Sequence, residues 1–594
     1  MASSERRWVA VSRILSRRDL EFLLYEWLDV EALTARPRFT EHSRETFDAF
    51  LDVSAQIAER EFATHNQRND AEEPRFDGER VHVIPEVAKA LAAFNDSGLL
   101  AGAMDSSIGG LQLPHTVHRA CFAWFQAANI ATSAYPLLTM ANADLLLEYA
   151  TPEQIEAFVR PMISGRFTGT MCLSEPQAGS SLSDVTTRAT PAGDGTYRVR
   201  GSKMWISGGD HELSETIVHL VLARVAGGPP GVKGLSLFIV PKHLLGPDGA
   251  AAARNGVSLV GLNHKMGYRG TTNAVLAFDD ATGYLVGEQG RGLAYMFHMM
   301  NAARIGVGAG AVALGYTGYL HAVAYARERL QGRPVGDKDP AAAPVPIIRH
   351  PDVRRMLLAS KAYAEGGLGL VLYAARLLDE QGTADSAGAR AEARLLLDVL
   401  TPIVKAWPSQ WCLKANDYAI QVHGGYGYSR EYPVEQFYRD NRLNPIHEGT
   451  DGIQALDLLG RKVTMLDGAG LALLARTIRA GVARAPGELA GMGAALDAAT
   501  GRLVEVTGRL WAGGAATRAL ANAWAYLQAA GHIVIAWMWL EQAITATGRA
   551  GDFYDGKRLA ARYFFTHELP RTAVWFDLLE SGDTLFAEMD DRWL

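Results

Sequence analysis

Residues 444–460, Asn-Pro-Ile-His-Glu-Gly-Thr-Asp-Gly-Ile-Gln-Ala-Leu-Asp-Leu-Leu-Gly, place a carboxylate beside the predicted start of a helix. The carboxylate is Glu448, and Gly449 and Thr450 follow it. Apolar residues then recur at helical spacing, at Ile453, Leu456 and Leu459. A threonine oxygen can accept a backbone N–H of the first turn, so Thr450 is predicted to cap this helix.

Glu448 would therefore lie just before a helix N-terminus. Gly449 would let another molecule approach the backbone closely, because glycine has no Cβ. The arrangement suits a carboxylate that acts on a ligand. It is also typical of a solvated glutamate at an ordinary helix cap, and further stretches upstream decide between these two interpretations.

Three upstream stretches also have the composition of a ligand site. Met-Cys-Leu-Ser-Glu-Pro-Gln-Ala-Gly-Ser-Ser occupies residues 171–181, and Gly-Ser-Lys-Met-Trp-Ile-Ser occupies residues 201–207. Gln-Val-His-Gly-Gly-Tyr-Gly-Tyr-Ser-Arg-Glu-Tyr-Pro-Val-Glu occupies residues 421–435. With residues 444–460, and in the same order, these motifs resemble the acyl-CoA dehydrogenase family of flavoproteins across residues 75–465.

The chain further resembles one long branch of that family, the 3-methylthiopropionyl-CoA dehydrogenase-like branch. Its length, a C-terminal extension and the segment Arg-Asp-Leu-Glu-Phe-Leu-Leu-Tyr at residues 18–25 carry this likeness. The implied activity is FAD-dependent α,β-dehydrogenation of a short acyl-CoA thioester, such as 3-methylthiopropionyl-CoA, to a trans-2-enoyl-CoA. A medium-chain fatty acyl-CoA dehydrogenase of β-oxidation and an acyl-CoA oxidase remain alternatives.

Composition excludes several other classes. The 594 residues are 48% hydrophobic and 21% charged, as in ordinary globular proteins. The net charge of −7 argues against a nucleic-acid-binding surface, which would be basic. Three cysteines without CxxC spacing argue against a disulfide framework and a zinc site, so no metal is expected and a reducing cytoplasm is favoured.

Two segments bear on targeting. Met-Ala-Ser-Ser-Glu-Arg-Arg at residues 1–7 leads into no apolar region, so no secretory signal is expected. Residues 521–540 carry no formal charge but include Gln528 and His532, which would be costly in mid-bilayer. A helix buried within the protein explains this segment better than a membrane span.

Hydrophobic periodicity predicts an α+β fold that is mostly α. Residues 1–165 show helical patterns, with a loop at 66–77, and are expected to form an N-terminal helical domain. Residues 166–285 contain short β-branched or alternating runs of a compact β domain, which the resemblance makes β-barrel-like. Residues 286–466 are expected to form a C-terminal four-helix bundle that contains the catalytic base and a surface loop at 332–346. Residues 467–594 are predicted to form an extra C-terminal helical domain.

Five strands are predicted in the β domain. They begin near Thr168, Tyr197, Ile217, Leu235 and Asn273, and Gly, Pro and Asp clusters separate them.

The first motif is implied to bind FAD. Small residues at a strand end expose backbone N–H groups to a ligand. By resemblance, Ser174 hydrogen-bonds the flavin edge, Gly179 and Ser180 line the pyrophosphate and acyl-CoA side, and Trp205 and Ser207 flank the ring. The implied cofactor-binding set on this side is Cys172, Leu173, Ser174, Gly179, Ser180, Trp205, Ile206 and Ser207, with Thr450 and Gly452 after the base. A plain strand-end turn and a core tryptophan are the structural alternatives.

A second implied set binds the FAD of a neighbouring subunit. By resemblance, Arg329 reaches the pyrophosphate, where a planar cation suits phosphate, and Gln331 lies beside it. Gln421, Gly424 and Gly425 would cover the adenosine half. One FAD would then be shared between two chains, so a homo-oligomer, and a dimer in particular, is expected.

The remaining implied roles concern the substrate. Ser180, Asn301, Arg304 and Gly449 are expected to bind the acyl-CoA. Glu448 is expected to be the catalytic base, because a carboxylate desolvated by a bound acyl chain gains proton affinity. Its backbone N–H and a ribityl hydroxyl of the flavin would polarise the thioester carbonyl. His447 either packs against the ring or contacts a polar substrate.

Electrons are expected to pass to an electron-transfer flavoprotein. An oxidase would pass them to oxygen instead. A flavin-containing DNA-binding protein of the same superfamily is disfavoured, because residues 588–594 read Glu-Met-Asp-Asp-Arg-Trp-Leu rather than basic.

Overall fold

The computed structural model describes residues 12–334, 336, 339 and 341–594. Residues 1–7, from which we predicted that no secretory signal is present, lie outside the described residues. So does part of the predicted loop at 332–346.

The N-terminal region up to residue 166 is built mainly of helices joined by short 3-10 and π turns. Its helices are α1 (Arg17–Glu21), α2 (Arg44–Ile57), α3 (Asn66–Ala71), α4 (Pro85–Asp96), α5 (His115–Ala128), α6 (Ile130–Tyr149), α7 (Pro152–Gln154) and α8 (Arg160–Ile163). α5 is mostly buried and α6 about half buried, and both pack against the helical bundle and the β domain.

The predicted all-helical character of this region is wrong at one place. β1 (Arg75–Phe76) and β2 (Val81–His82) form an antiparallel hairpin, which is too short to show alternation. Asp77 makes its turn by accepting the backbone N–H groups of Glu79 and Arg80. The predicted loop at 66–77 also begins as α3, which buries polar side chains against the protein.

The β domain contains a closed ring of strands. Its strands are β3 (Phe167–Cys172), β4 (Arg188–Pro191), β5 (Tyr197–Ser207), β6 (Thr216–Val225), β7 (Leu235–Pro241), β8 (His243–Leu245), β9 (Ala251–Arg254), β10 (Val257–Leu262) and β11 (Asn273–Val286). β11 pairs with β5, β5 with β4, β4 with β6, β6 with β7 and β7 with β11. This closure confirms the barrel-like prediction, since each strand of the ring has two neighbours.

All five predicted strands are present, but four others were not predicted. β4 and β8 have only four and three residues. β9 reads Ala-Ala-Ala-Arg, a composition that favours helix. β10 contains a register shift between Leu259 and Gly261, which interrupts alternation.

Long helices form the bundle after the barrel. They are α9 (Gly292–Glu328), α10 (Pro351–Thr383) and α11 (Ala387–His423), with α12 (Val434–Asn441) against α9 and α11 and α13 (Asp451–Asp457) after the Glu448 loop. Glycine lets α9 and α11 approach closely: a Cβ on Gly308 would lie 2.0 Å from the carbonyl oxygen of Val404. The first half of α9 is thereby held against the middle of α11.

The C-terminal extension surrounds one buried helix. Its helices are α14 (Ala469–Ala483), α15 (Ala490–Ala512), α16 (Ala516–Leu520), α17 (Ala523–Ala546), α18 (Asp552–Tyr563), α19 (Thr572–Ser581) and α20 (Leu585–Glu588). α17 is buried along nearly its whole length, as predicted for residues 521–540, and Trp407 of the bundle donates to His532 within it. Within the part of the chain that the structure describes, no helix has the length and apolarity needed to span a bilayer.

A buried ion cluster joins the extension to the rest of the chain. Lys557 of α18 pairs with Asp19 of α1 and lies 2.9 Å from Glu365 of α10. Gln542 accepts a third hydrogen bond from this ammonium, and Tyr316 of α9 donates to the Asp19 carboxylate. The extension is thus fixed to both the N-terminal segment and the bundle.

Candidate active site

A cavity of about 1100 Å³ lies between the N-terminal helices, the barrel and the bundle. We call it the main cavity. Ten residues predicted to bind FAD or substrate, or to act as the base, line it: Ser174, Gly179, Ser180, Trp205, Ser207, Asn301, Arg304, Glu448, Gly449 and Thr450. Segments from three parts of the sequence therefore meet in one enclosed space, as the motif order implied.

The loop that carries Glu448 has an unusual backbone. Glu448 has φ +55° and Gly449 has φ +90°, both in the left-handed region. The buried Gln454 fixes this shape, because its Nε2 donates to the carbonyl oxygens of both residues at 3.0 and 3.3 Å. Thr450 accepts from the Ile453 N–H and starts α13, which confirms the predicted cap.

A chain of asparagines anchors the segment before the loop. Asn444 donates to Asn441, which in turn donates to the Ala311 carbonyl of α9. The Nε2 atom of His447 lies 3.1 Å from the side-chain oxygen Oδ1 of Asn444, and its ring contacts the Tyr268 ring edge-to-face. Burial lowers the pKa of His447 to about 3, so the imidazole is neutral and its Nε2–H donates to Asn444. His447 also lines the main cavity, so it is both packed and accessible to a ligand.

Burial and two nearby cations set the proton affinity of Glu448 in opposite directions. Desolvation raises the pKa of its carboxyl group above the ordinary value. The positive charges of Arg304 and Lys405 oppose this rise. Arg304 is held in place by Asp457, with 2.8 Å between Nη1 and the carboxylate oxygen.

Lys405 of α11 was not among the predicted site residues. Its ammonium is fully buried, makes no hydrogen bond within the described residues and lies 3.8 Å from Asp451. Burial lowers the pKa of Lys405 to about 8, against the opposing attraction of Asp451 and Glu448. A single charge in the apolar run Pro-Ile-Val-Lys-Ala-Trp was the signal that the sequence offered.

The barrel side of the cavity presents an exposed indole. Trp205 on β5 is 56% exposed and has φ +65°, which is rare for a bulky residue. Ser174 and Ser207 line the cavity with it. Behind Ser174, the Glu175 carboxylate pairs with the buried Lys203 at 3.0 Å and accepts hydrogen bonds from Thr187, which fixes the turn.

The second predicted set lies around a different cavity, of about 690 Å³. Arg329, Gln331, Gly424 and Gly425 line it. A Cβ on either glycine would meet no atom within 4 Å, so the backbone there is open to a ligand. Tyr426 lies under the Arg329 guanidinium, 5.9 Å from its carbon to the ring centroid.

Five predicted cofactor residues line neither cavity with their side chains. They are Cys172, Leu173, Ile206, Gln421 and Gly452. Cys172 and Ile206 are buried in the barrel core, because their strand positions point inward. Leu173 packs against neighbouring apolar clusters, and Gln421 lies exposed on α11.

Comparison with known families covers nearly the whole chain. The acyl-CoA dehydrogenase N-terminal, middle and C-terminal domains match residues 44–166, 170–281 and 290–463. The family described as acetyl-CoA dehydrogenase C-terminal like matches residues 474–590. The chain belongs to the acyl-CoA dehydrogenase family. It is therefore an oxidoreductase that uses FAD to dehydrogenate acyl-CoA, as the motifs implied.

Curated relatives match this acyl-CoA dehydrogenase over nearly its whole length. The 3-methylmercaptopropionyl-CoA dehydrogenase of Ruegeria pomeroyi is 40% identical, over 96% of this chain and 98% of that protein. The broad-specificity linear acyl-CoA dehydrogenase FadE5 of Mycobacterium tuberculosis is 34% identical, over 97% and 98%.

Solved structures share the fold, including the extension. Caenorhabditis elegans ACDH-11 in complex with C11-CoA has a TM-score of 0.76 at 19% identity, over 97% of this chain and 94% of that chain. The Bacillus anthracis acyl-CoA dehydrogenase complexed with FAD has a TM-score of 0.74 at 20% identity, over 96% and 93%. These likenesses confirm the mostly helical fold with a barrel and C-terminal helices.

The residues of the main cavity fit FAD chemically. Trp205 offers an exposed flat face, and Ser174 and Ser207 offer hydroxyl groups beside it. Gly179 has no atom within 4 Å of where a Cβ would stand, so a phosphate could approach its backbone. The strained backbone at Trp205 is typical of a residue held for a ligand rather than for packing.

Proposed function

We propose that this acyl-CoA dehydrogenase oxidises a short acyl-CoA thioester, such as 3-methylthiopropionyl-CoA, to the trans-2-enoyl-CoA, with Glu448 as the base. One observation carries the proposal: the Glu448 carboxyl lines the same cavity as the exposed Trp205 and Ser174. A substrate between them would have a base on one side and the flavin on the other.

Glu448 would remove the α-proton of the thioester. Burial raises the proton affinity of its carboxylate, which is what a base for a weakly acidic carbon requires. The charges of Arg304 and Lys405 oppose the rise and favour the ionised carboxylate. FAD, when bound, supplies the acceptor for the β-hydride.

The Glu448 backbone would stabilise the charge that develops on the thioester oxygen. Among the described residues its N–H donates to no backbone or side-chain acceptor. Its left-handed φ and the Gln454 hydrogen bonds hold that N–H in a fixed direction. A fixed donor beside the base is what oxyanion stabilisation needs. Asn301 and Arg304 would bind the CoA chain, since each has a buried polar atom with no partner among the residues that the structure describes.

The two separate cavities support a shared cofactor. Arg304 lines the main cavity and Arg329 the second, and both lie on or at the end of α9. The 25 residues between them span about 37 Å at 1.5 Å per residue. That exceeds the length of one extended FAD, so the second set would serve the FAD of another subunit in a homodimer.

The acyl group and the electron acceptor are the finer parts of the proposal. 3-Methylmercaptopropionyl is another name for 3-methylthiopropionyl. The likeness to a 3-methylmercaptopropionyl-CoA dehydrogenase therefore supports the short substrate. An electron-transfer flavoprotein is the proposed acceptor, and the three buried, unpaired cysteines suit a reducing cytoplasm.

Anaerobic flavin bleaching tests the proposal. A panel from butyryl-CoA and 3-methylthiopropionyl-CoA to palmitoyl-CoA is mixed with holoenzyme, and absorbance of the oxidised flavin is followed in single turnover. Bleaching by short thioesters is expected. No bleaching by any acyl-CoA would overturn the proposal, and rapid peroxide release under air would favour the oxidase instead.

A further inference from the structure

Arg119 on α5 lines the main cavity, although no motif pointed to it. Its side chain is half-buried, and burial lowers the pKa of Arg119 to about 10. Among the residues that the structure describes, it makes no hydrogen bond or ion pair, and no other charge influences it. Buried charges in proteins are almost always paired, so an unpaired guanidinium in a cavity wall indicates an anionic ligand.

The carboxylates nearby do not supply the missing charge. Asp379 accepts the backbone N–H groups at the start of α5. Asp398 lies 2.5 Å from the Lys462 ammonium, and Asp144 lies 3.8 Å from His298. Each of these three acids is thus occupied by a donor other than the guanidinium of Arg119. Glu148 also lines the cavity but makes no ion pair with Arg119.

The polar side chains beside Arg119 are neutral. His118 donates its Nε2–H to the Leu99 carbonyl oxygen, 2.8 Å away. Burial and the adjacent guanidinium lower the pKa of His118 to about 4, so it carries no charge at neutral pH. His115 and Gln381 line the same end of the cavity and offer further hydrogen-bonding groups.

The position of Arg119 along α5 can be related to that of Arg304 on α9. Gln126, also on α5, donates to the Gly306 carbonyl, two residues beyond Arg304 on α9. Arg119 precedes Gln126 by seven residues, or about 10 Å along the helix. The backbone at Arg119 is therefore displaced along α5 from the level of Arg304, and apolar side chains such as Leu397 also line the cavity.

From this geometry we propose that Arg119 binds a carboxylate at the far end of the acyl chain, so that the enzyme accepts the mono-CoA thioesters of short dicarboxylic acids. The inference rests on the proposed dehydrogenation at Glu448. A guanidinium binds a carboxylate through two parallel N–H···O bonds, which an unsubstituted chain cannot make. The unpaired charge also disfavours a long apolar tail at this end.

The test compares thioesters of equal carbon number. kcat/KM is measured for adipoyl-CoA against hexanoyl-CoA, and for suberyl-CoA against octanoyl-CoA, with the holoenzyme and two variants. We expect the parent to prefer the dicarboxylic member of at least one pair. Arg119→Met should lower that preference by about 10- to 100-fold, the value of a hydrogen bond between charged groups. Arg119→Lys should restore part of it.

Comparing the two thioesters of a pair cancels any effect of a substitution on CoA binding, because both carry the same CoA. The control is Arg188→Met, an exposed arginine on β4 outside both cavities, which should keep the parent ratio. FAD content confirms that each variant folds. A parent that favours hexanoyl-CoA and octanoyl-CoA, or an Arg119→Met variant that weakens both members of a pair equally, would overturn this inference alone. Failure of every thioester to bleach the flavin would overturn the proposed function as well.

Discussion

Lys405→Met tests whether the buried lysine tunes the base at the expense of stability. Burial lowers the pKa of Lys405 from 10.5 to about 8, and this difference corresponds to about 3 kcal/mol against the charged form. Methionine fills a similar volume without a charge, so the variant does not carry this cost. Asp451 loses a cation 3.8 Å away, which offsets part of the gain. We expect a net stabilisation of about 1–2 kcal/mol at pH 7.

The Lys405→Met substitution should also change the pH dependence of stability. The folded pKa of Lys405 lies below the unfolded one, so between pH 8 and 10.5 the unfolded chain binds more protons. The penalty is therefore complete below pH 8 and is relieved as the pH rises through that window. The parent should gain stability there, and Lys405→Met should lack this gain, as measured by urea unfolding.

The catalytic activity of Lys405→Met should change in the direction opposite to its stability. The Lys405 ammonium lowers the pKa of Glu448, so its removal lets burial raise that pKa further. The acid limb of the kcat/KM profile should then shift to higher pH, and parent and variant should converge above about pH 8, where Lys405 is neutral. Lys414→Met, an exposed lysine on the same helix, is the control and should change stability by less than about 0.5 kcal/mol. A destabilised Lys405→Met variant with an unchanged pH profile would refute this reasoning.

Three further predictions concern the cofactor and the substrate. The purified protein should be yellow with noncovalent FAD at about one per chain, and a colourless protein that takes up no FAD would contradict the cofactor assignment. Arg329→Ala should release FAD more readily while the fold is kept, as measured by FAD content after gel filtration, and unchanged retention would contradict the shared site. Short acyl-CoAs should bleach the flavin faster than palmitoyl-CoA in stopped flow, and a preference for palmitoyl-CoA would contradict the proposed acyl group.

Local signals in the sequence predicted the part of the site that is built locally. The cap by Thr450 depends on a residue three positions away, so the motif alone contains it. Strands with β-branched runs, such as β6 and β7, were equally predictable from the sequence. Short or alanine-rich strands such as β9 were missed, because their pairing depends on the closed barrel and not on their own composition.

Contacts between distant segments could not be predicted in this way. Lys405 and Asp451 are 46 residues apart in sequence, and the packing of α13 against α11 brings the lysine near Asp451 and the Glu448 loop. In the sequence Arg119 is one charge on a helical face, and only the folded cavity shows that it has no partner among the described residues. The orientation of Cys172 and Ile206 likewise depends on the folded barrel, since strand position directs their side chains into its core.

Glu448→Gln tests the proposed mechanism most directly. Glutamine keeps the size of the side chain but cannot accept the α-proton, and loss of a positioned base costs about 100- to 10,000-fold in rate. Stability should change by less than about 1 kcal/mol, because the substitution is nearly isosteric. The measurement is anaerobic single-turnover bleaching by a good acyl-CoA, with a perturbed flavin spectrum as proof of binding. We predict that the variant binds FAD and acyl-CoA but does not bleach, whereas bleaching near the parent rate would show that another residue is the base.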